Sequence, residues 1–211
     1  HLGRAVEALA HAEPADPGIA PLTLQTYTST YPLVASEIAA GARQLAVENT
    51  GDPLGALDLA WGRAQSALDL LGPDDRVVGA RRGPILVSDL VVTRLVELVV
   101  HADDLARSLP DLPAPAAPRE AVRLVVRALL DVLVEGAPGR SVEVRVPPFA
   151  AVQCIEGPRH TRGTPPNVVE ADPLTWVRLA CGRVAWGDAV SDGSVRASGE
   201  RADLSDLLPL L

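Results

Sequence analysis

The segment "TRLVELVVHADDLARSL", residues 93–109, carries a single file of polar side chains through a run of Leu and Val. The polar residues follow one another at steps of three and four, which places them on one face of an α-helix. They are Arg94, Glu97, His101 and Asp104. A solvated helix face is usually wider than this and richer in charge. The seam therefore indicates either a narrow surface stripe or a polar cavity inside a helix bundle, and the pattern alone leaves both open.

Glu97 and His101, four residues apart, can both reach one metal ion, and helix bundles build metal sites in this way. The Glu-x-x-x-His spacing is also common by chance. A third ligand would most readily be another histidine. The chain offers His1 and His11 near the ends of its first helix and His160 in a polar loop. Three protein ligands with one open position would be typical of a catalytic site.

The first half of the chain is predicted to be helical. Apolar residues recur at three and four, Asp52 and Pro53 are typical of a helix start, and Gly72 is typical of a helix end. These lengths suit an antiparallel bundle. The predicted helices cover residues 1–12, 33–48, 53–71 and about 86–108.

The segment "PDLPAPAAPRE", residues 110–120, has the composition of a stiff, extended linker. We therefore predict a helical domain over residues 1–112 and a second domain over residues 113–211.

The second half mixes helical and strand patterns, which predicts a small α+β domain. "REAVRLVVRALLDVLVEG" is an amphipathic helix, and "SVEVRVPP" alternates like a half-buried strand. "GPRHTRGTPPN" is a polar loop, and "ADPLTWVRLACG" has another Asp-Pro helix start. Two short strands are expected around the turn at Asp192-Gly193, with a closing helix in "RADLSDLLPLL".

Composition narrows the classes of protein further. A net charge of −8 argues against a nucleic-acid partner, and no apolar run is long enough to cross a membrane. The chain shows no signal-peptide pattern. Two cysteines, Cys154 and Cys181, are too few for a disulfide framework, so we expect them in the core of a cytoplasmic protein.

The segment "TRLVELVVHADDLA" resembles the signature helix of the mycothiol-dependent maleylpyruvate isomerase family, a branch of the DinB-like metal-binding four-helix bundles. The resemblance runs from His1 to about Leu109 and implies that Glu97 and His101 bind a divalent metal, usually zinc. A histidine from an earlier helix would complete the site. The run "HLGRAVEAL" is similar to the one that this histidine opens, which nominates His1, with His11 as the substitute. The resemblance places the first bundle helix upstream of His1.

The second half resembles the sterol-carrier-like domain that follows the bundle in this family. The resemblance rests on "ADPLTWVRLACGR" and on "GSVRASGERADLSDLLPLL". Residues 147–170 depart from the isomerase and are similar to an actinobacterial subgroup named for sterol carriers. The resemblance thus implies a two-domain α plus α+β protein.

The resemblance implies an enzyme in which the metal activates the thiol of mycothiol for isomerase or S-transferase chemistry on a small, anionic electrophile. Asp104 would orient a ligand or move a proton, although it can equally be a surface charge. Arg183 resembles the Gly-Arg position that would hold a substrate carboxylate. Arg159 and Arg162 compete for that role, in a loop expected either to fold toward the bundle cleft or to lie exposed.

The alternative is a non-catalytic sterol-carrier-like protein that binds a lipid or another apolar ligand. Trp176, Trp186 and Phe149 could line its pocket, but the simpler interpretation places these aromatic side chains in the core. A bundle that binds metal and catalyses nothing is a third possibility.

Overall fold

The structure, a computed structural model, describes residues 2–72, 74–113, 117–157 and 166–211. The chain divides into two compact units, residues 1–101 and 102–211, which we describe separately. This division falls within a helix, whereas the sequence predicted the boundary in the linker after residue 112. The linker boundary stays a prediction, and neither sheet of the described residues draws strands from both sides of it.

The N-terminal unit combines helices with one small sheet. In α4, the Asp52 carboxylate accepts a hydrogen bond from the Gly55 N–H at 2.9 Å and Pro53 is the first helical residue, which confirms the predicted Asp-Pro start. Its elements are α1 (Leu2–Ala10), β1 (Glu13–Pro14), α2 (Leu24–Thr28), α3 (Tyr31–Glu48), α4 (Pro53–Leu71), β2 (Val77–Ala80), β3 (Gly83–Leu86) and most of α5 (Val87–Ser108).

The sheet was not predicted, because we expected only helices in this half. It is antiparallel, in the order β1-β2-β3. Ala80 pairs with Gly83, so Arg81 and Arg82 form the two-residue turn of the β2–β3 hairpin. The signal was present as two short apolar runs, "VVGA" and "GPIL", on either side of the arginine pair. Runs of four residues are too short for periodicity to separate strand from helix.

The core of the N-terminal unit lies where α1, α4, the β2–β3 hairpin and the start of α5 meet. α1 packs along α4. Within the described chain, α3 buries none of its residues, so the predicted four-helix bundle is not confirmed and stays a prediction. The core cluster consists of Val6, Leu9, Tyr27, Ala64, Leu71, Val78, Ile85 and Leu90.

The C-terminal unit begins with the last turns of α5 and continues as an α+β domain. Its elements are α6 (Arg119–Gly136), β4 (Val142–Val146), β5 (Ala150–Cys154), β6 (Val168–Ala171), α7 (Pro173–Ala180), α8 (Trp186–Ser191) and β7 (Val195–Ser198). The second Asp-Pro helix start is confirmed, since the Asp172 carboxylate accepts hydrogen bonds from the N–H groups of Leu174 and Thr175.

Two local predictions in this unit were wrong. Of the two strands expected around Asp192-Gly193, only the second forms, as β7, and the first segment is the short helix α8. Residues 201–211 form turns and irregular structure in place of the closing helix. The segment includes Pro209, whose ring would block an intrahelical hydrogen bond.

The second sheet has the order β5-β4-β6-β7, with β4 parallel to β6 and the other pairs antiparallel. β4 alternates as predicted, burying Val142, Val144 and Val146. α6 packs against β5 and α7 through a face of eight buried residues, and Trp176 is fully buried. Residues 147–170, which depart from the isomerase pattern, supply two of the four strands.

Cys154 provides a check on this core. Its side chain is fully buried, and this burial raises the pKa of its thiol to about 11. At pH 8 a thiol with such a pKa is ionised to about one part in a thousand, so it should react very slowly with an aromatic disulfide reagent. In a Cys181→Ser variant, which retains only Cys154, we expect negligible labelling until the protein is unfolded. Rapid stoichiometric labelling of the folded variant would contradict the described core.

Candidate functional site

The tight turn between β2 and β3 separates the side chains of two consecutive arginines. Arg81 is exposed and forms an ion pair with Glu37 at 3.3 Å. Arg82 turns inward, with its guanidinium 3.6 Å from the centre of the Tyr31 ring and 5.1 Å from that of Tyr27. Its Nε and Nη1 atoms are buried and have no hydrogen-bond partner among the described residues. The hairpin thus presents a stacked guanidinium whose Nε and Nη1 donors have no partner among the described residues.

Arg94, on α5, contacts the same tyrosine from another side. It is only 7% exposed, and it donates hydrogen bonds to the Tyr31 hydroxyl at 2.8 Å and to Thr93 Oγ1 at 3.0 Å. Both acceptors are neutral hydroxyls. Tyr31 therefore connects the two arginines, Arg82 through its ring face and Arg94 through its hydroxyl.

Glu97 and His101 meet one turn further along α5. Glu97 Oε2 and His101 Nε2 are 3.3 Å apart, and the two side chains are 23% and 19% exposed. Burial by itself would raise the pKa of the Glu97 carboxyl. The hydrogen bond with His101 and the charges of Arg94, His101 and Arg82 outweigh burial, and the pKa lies below its ordinary value. Glu97 is therefore held as a carboxylate at neutral pH.

Arg82, Arg94 and Glu97 border a cavity of about 480 Å³ in the N-terminal unit. Four arginines line it against two glutamates, so its lining is cationic although the whole chain is acidic. The charged residues of the lining are Arg4, Arg81, Arg82, Arg94, Glu7 and Glu97. The polar seam predicted from the sequence thus borders this cavity at Arg94 and Glu97.

The Glu97–His101 pair fits a metal ion by its geometry. Zinc bonds of about 2.0–2.2 Å to nitrogen and oxygen place two ligand atoms of a tetrahedral site about 3.3–3.6 Å apart. The observed separation of 3.3 Å lies in that range and is longer than the usual N–H···O distance of about 2.9–3.0 Å. A carboxylate and an imidazole are also a common donor set for zinc. The two side chains can therefore serve as two ligands of one ion.

The third ligand cannot be placed within the described part of the chain. His1, the predicted ligand, lies outside the described residues. His11, the substitute, is exposed, and its Nδ1 lies 2.9 Å from the Glu7 carbonyl oxygen. Among the described residues no group of three His, Cys, Asp or Glu side chains comes together.

Two more of the predicted site residues bind each other in the C-terminal unit. The Arg183 guanidinium donates to the Asp104 carboxylate at 3.1–3.2 Å and to the Cys181 carbonyl oxygen at 3.0 Å. A neighbouring pair, Arg178 with Asp103, is more deeply placed, and its Nε–Oδ2 distance is 2.8 Å. The two pairs anchor the end of α5 to α7 and the residues that follow it.

Some site residues were missed by the sequence prediction, and others fall outside the described residues. Arg82, Tyr31 and Asp103 were not nominated, because their partners are distant in the sequence and the hairpin was not predicted. Arg159, His160 and Arg162 fall in residues 158–165, which the structure does not describe, so the predicted orientation of that loop stays a prediction.

Comparison with known proteins concerns the second half of the chain. Residues 118–210 match the family model described as "Bacterial SCP ortholog", which supports the sterol-carrier-like C-terminal domain. The match includes residues 147–170, so this stretch belongs to the domain. No curated protein matches the chain. None of the described helices is long and apolar enough to cross a membrane.

The two Arg–Asp pairs are expected to differ in their contribution to stability. The Asp103 side chain is 9% exposed, so Arg178→Ala would leave a carboxylate largely buried without its partner and should lower the free energy of unfolding by about 1–3 kcal/mol. Asp104 is 31% exposed and can be solvated when Arg183 is removed. Arg183→Ala should therefore cost less than about 1 kcal/mol. Denaturant titration measures both, and an equal or reversed order would contradict the assignment.

Proposed function

We propose that the N-terminal unit binds a divalent metal ion, zinc being favoured, through Glu97 and His101, with His1 as the predicted third ligand. The observation that supports this most directly is the 3.3 Å approach of Glu97 Oε2 to His101 Nε2 between two largely buried side chains. The charge of Arg94 adds to it, because it lowers the pKa of the Glu97 carboxyl and a metal ligand must be deprotonated.

The proposed activity is isomerase or S-transferase chemistry with a low-molecular-weight thiol such as mycothiol, on a small electrophilic and anionic substrate. A bound metal would supply the thiolate nucleophile by lowering the pKa of the thiol. The positive charge of Arg94 favours the ionised form of Glu97. The hydrogen bond from Arg94 to Tyr31 fixes the guanidinium on the cavity wall.

The catalytic roles of Asp104, Arg183 and Arg162 remain predictions. Asp104 and Arg183 form an ion pair, so either side chain would have to exchange its present partner, or act together with it, to contact a substrate. The cytoplasmic location is likewise a prediction.

A second candidate is a sterol-carrier-like protein that binds an apolar ligand, and the family match over residues 118–210 favours it. In the described structure, however, Trp176 is fully buried. Its indole Nε1 has no hydrogen-bond partner among the described residues. Trp176 therefore belongs to the core, and Phe149 and Trp186 are partly exposed. Of the three aromatic residues predicted to line a pocket, Phe149 and Trp186 are thus the ones that a ligand could contact without displacing the core.

Metal analysis distinguishes the two candidates. Purified protein is expected to bind one zinc ion per chain, and Glu97→Gln and His101→Ala should each weaken zinc binding by roughly tenfold or more. His11→Ala is the matched histidine control and should leave the zinc content unchanged.

The contrary result is a protein without zinc, or one whose zinc survives His101→Ala. Copurified lipid in a metal-free preparation would favour the carrier. Formation of thiol adducts by the zinc-loaded protein, lost in the Glu97 and His101 variants, would favour the enzyme.

A further inference from the structure

Arg82 is a buried cation with unused hydrogen-bond donors. Its Nε and Nη1 are buried and have no hydrogen-bond partner among the described residues. Leaving such donors unpaired costs free energy, and the cost is larger for a charged group. Stacking on Tyr31 and Tyr27 offsets part of this cost and fixes the plane of the guanidinium, but it occupies none of the N–H groups. The tyrosines therefore fix the orientation of the Arg82 side chain, but its Nε and Nη1 donors still lack hydrogen-bond acceptors in the described part of the chain.

Arg94 adds a second guanidinium at the same wall. Its hydrogen bonds go to two neutral hydroxyls, of Tyr31 and Thr93, so its charge is not neutralised by them. Glu97 lines the same cavity, and its carboxylate also contacts His101. Two guanidinium groups thus share one carboxylate that already has another partner.

The other charged residues of the cavity are occupied elsewhere. Arg4 donates to the carbonyl oxygens of Glu37 and Ile38, at 3.5 and 3.3 Å. Arg81 forms its ion pair with Glu37, and Glu7 contacts Arg63 at 3.5 Å. Within the lining, Arg4, Arg82 and Arg94 thus face one remaining carboxylate, Glu97, so the cavity wall keeps a net positive charge.

We propose that Arg82 and Arg94 form a binding site for an oxyanion, the carboxylate or phosphate group of a small organic molecule that enters the 480 Å³ cavity. The planar fork of N–H donors on Arg matches both groups, and their charge would neutralise the wall. Tyr31 is the positioning residue, because it stacks on one guanidinium and accepts a hydrogen bond from the other. The site goes beyond the proposed metal centre and does not require it.

The test uses the whole chain after treatment with a chelator, so that metal does not contribute. Isothermal titration with inorganic phosphate and with succinate, in separate arms, measures the affinity for each class of anion. Arg82→Gln should weaken binding of the preferred anion roughly 10- to 100-fold, as expected for loss of a charge-assisted hydrogen bond. Arg76→Gln, a control at an exposed arginine that does not line this cavity and that pairs with Asp74, should change the affinity less than about twofold.

The proposal is overturned if neither anion binds, if Arg82→Gln binds as the wild type does, or if Arg76→Gln weakens binding equally. Circular dichroism establishes that each variant is folded. Should Arg82→Gln not fold, Arg82→Lys retains the charge without the fork and is expected to weaken binding several-fold. An unchanged affinity in that variant would also overturn the proposal.

Zinc content measured on the untreated preparations separates this proposal from the metal site. Anion binding by a protein that takes up no zinc would support the oxyanion site and contradict the metal centre. Zinc uptake by a protein that binds neither anion would do the reverse.

Discussion

The burial of Arg94 is the constraint around which the polar part of the N-terminal unit is arranged. A guanidinium at 7% exposure needs acceptors and a compensating charge, since it cannot lose its proton. Tyr31 and Thr93 supply the acceptors, and Glu97 supplies the charge. The same tyrosine stacks on Arg82. Arg94 thus connects Tyr31, Thr93 and Glu97 in one polar cluster. An apolar residue in its place would leave the Tyr31 hydroxyl without this donor and Glu97 without this positive charge.

The C-terminal unit is held together by an apolar core and by two ion pairs at the edge of that core. α6 contributes a face of eight buried residues, and β4 contributes alternate valines. The pairs of Arg178 with Asp103 and of Arg183 with Asp104 attach the end of α5 to this core. Residues 102–108 consequently belong to the second unit, although the helix that carries them begins in the first.

The parts of the fold that the sequence predicted are those governed by local rules. The Asp52 and Asp172 caps with their following prolines, the long periodic helices and the alternating strand β4 required no distant partner. The β2–β3 hairpin was missed because its strands are four residues long. The sequence could not predict that Arg82 stacks on Tyr31 while Arg81 is exposed. That difference depends on which side of the hairpin turn each side chain occupies. The Glu97–His101 contact was predictable because both residues lie on one helix.

The central claim, that Glu97 and His101 are ligands of one metal ion, is tested most directly by zinc K-edge X-ray absorption of the zinc-loaded protein without added thiol. The account predicts nitrogen and oxygen scatterers at about 2.0–2.2 Å, with the outer-shell signal of imidazole and no sulfur in the first shell. The imidazole signal should weaken in His101→Ala. A zinc–sulfur distance of about 2.3 Å, which would implicate Cys154 or Cys181, or a first shell without imidazole, would contradict it.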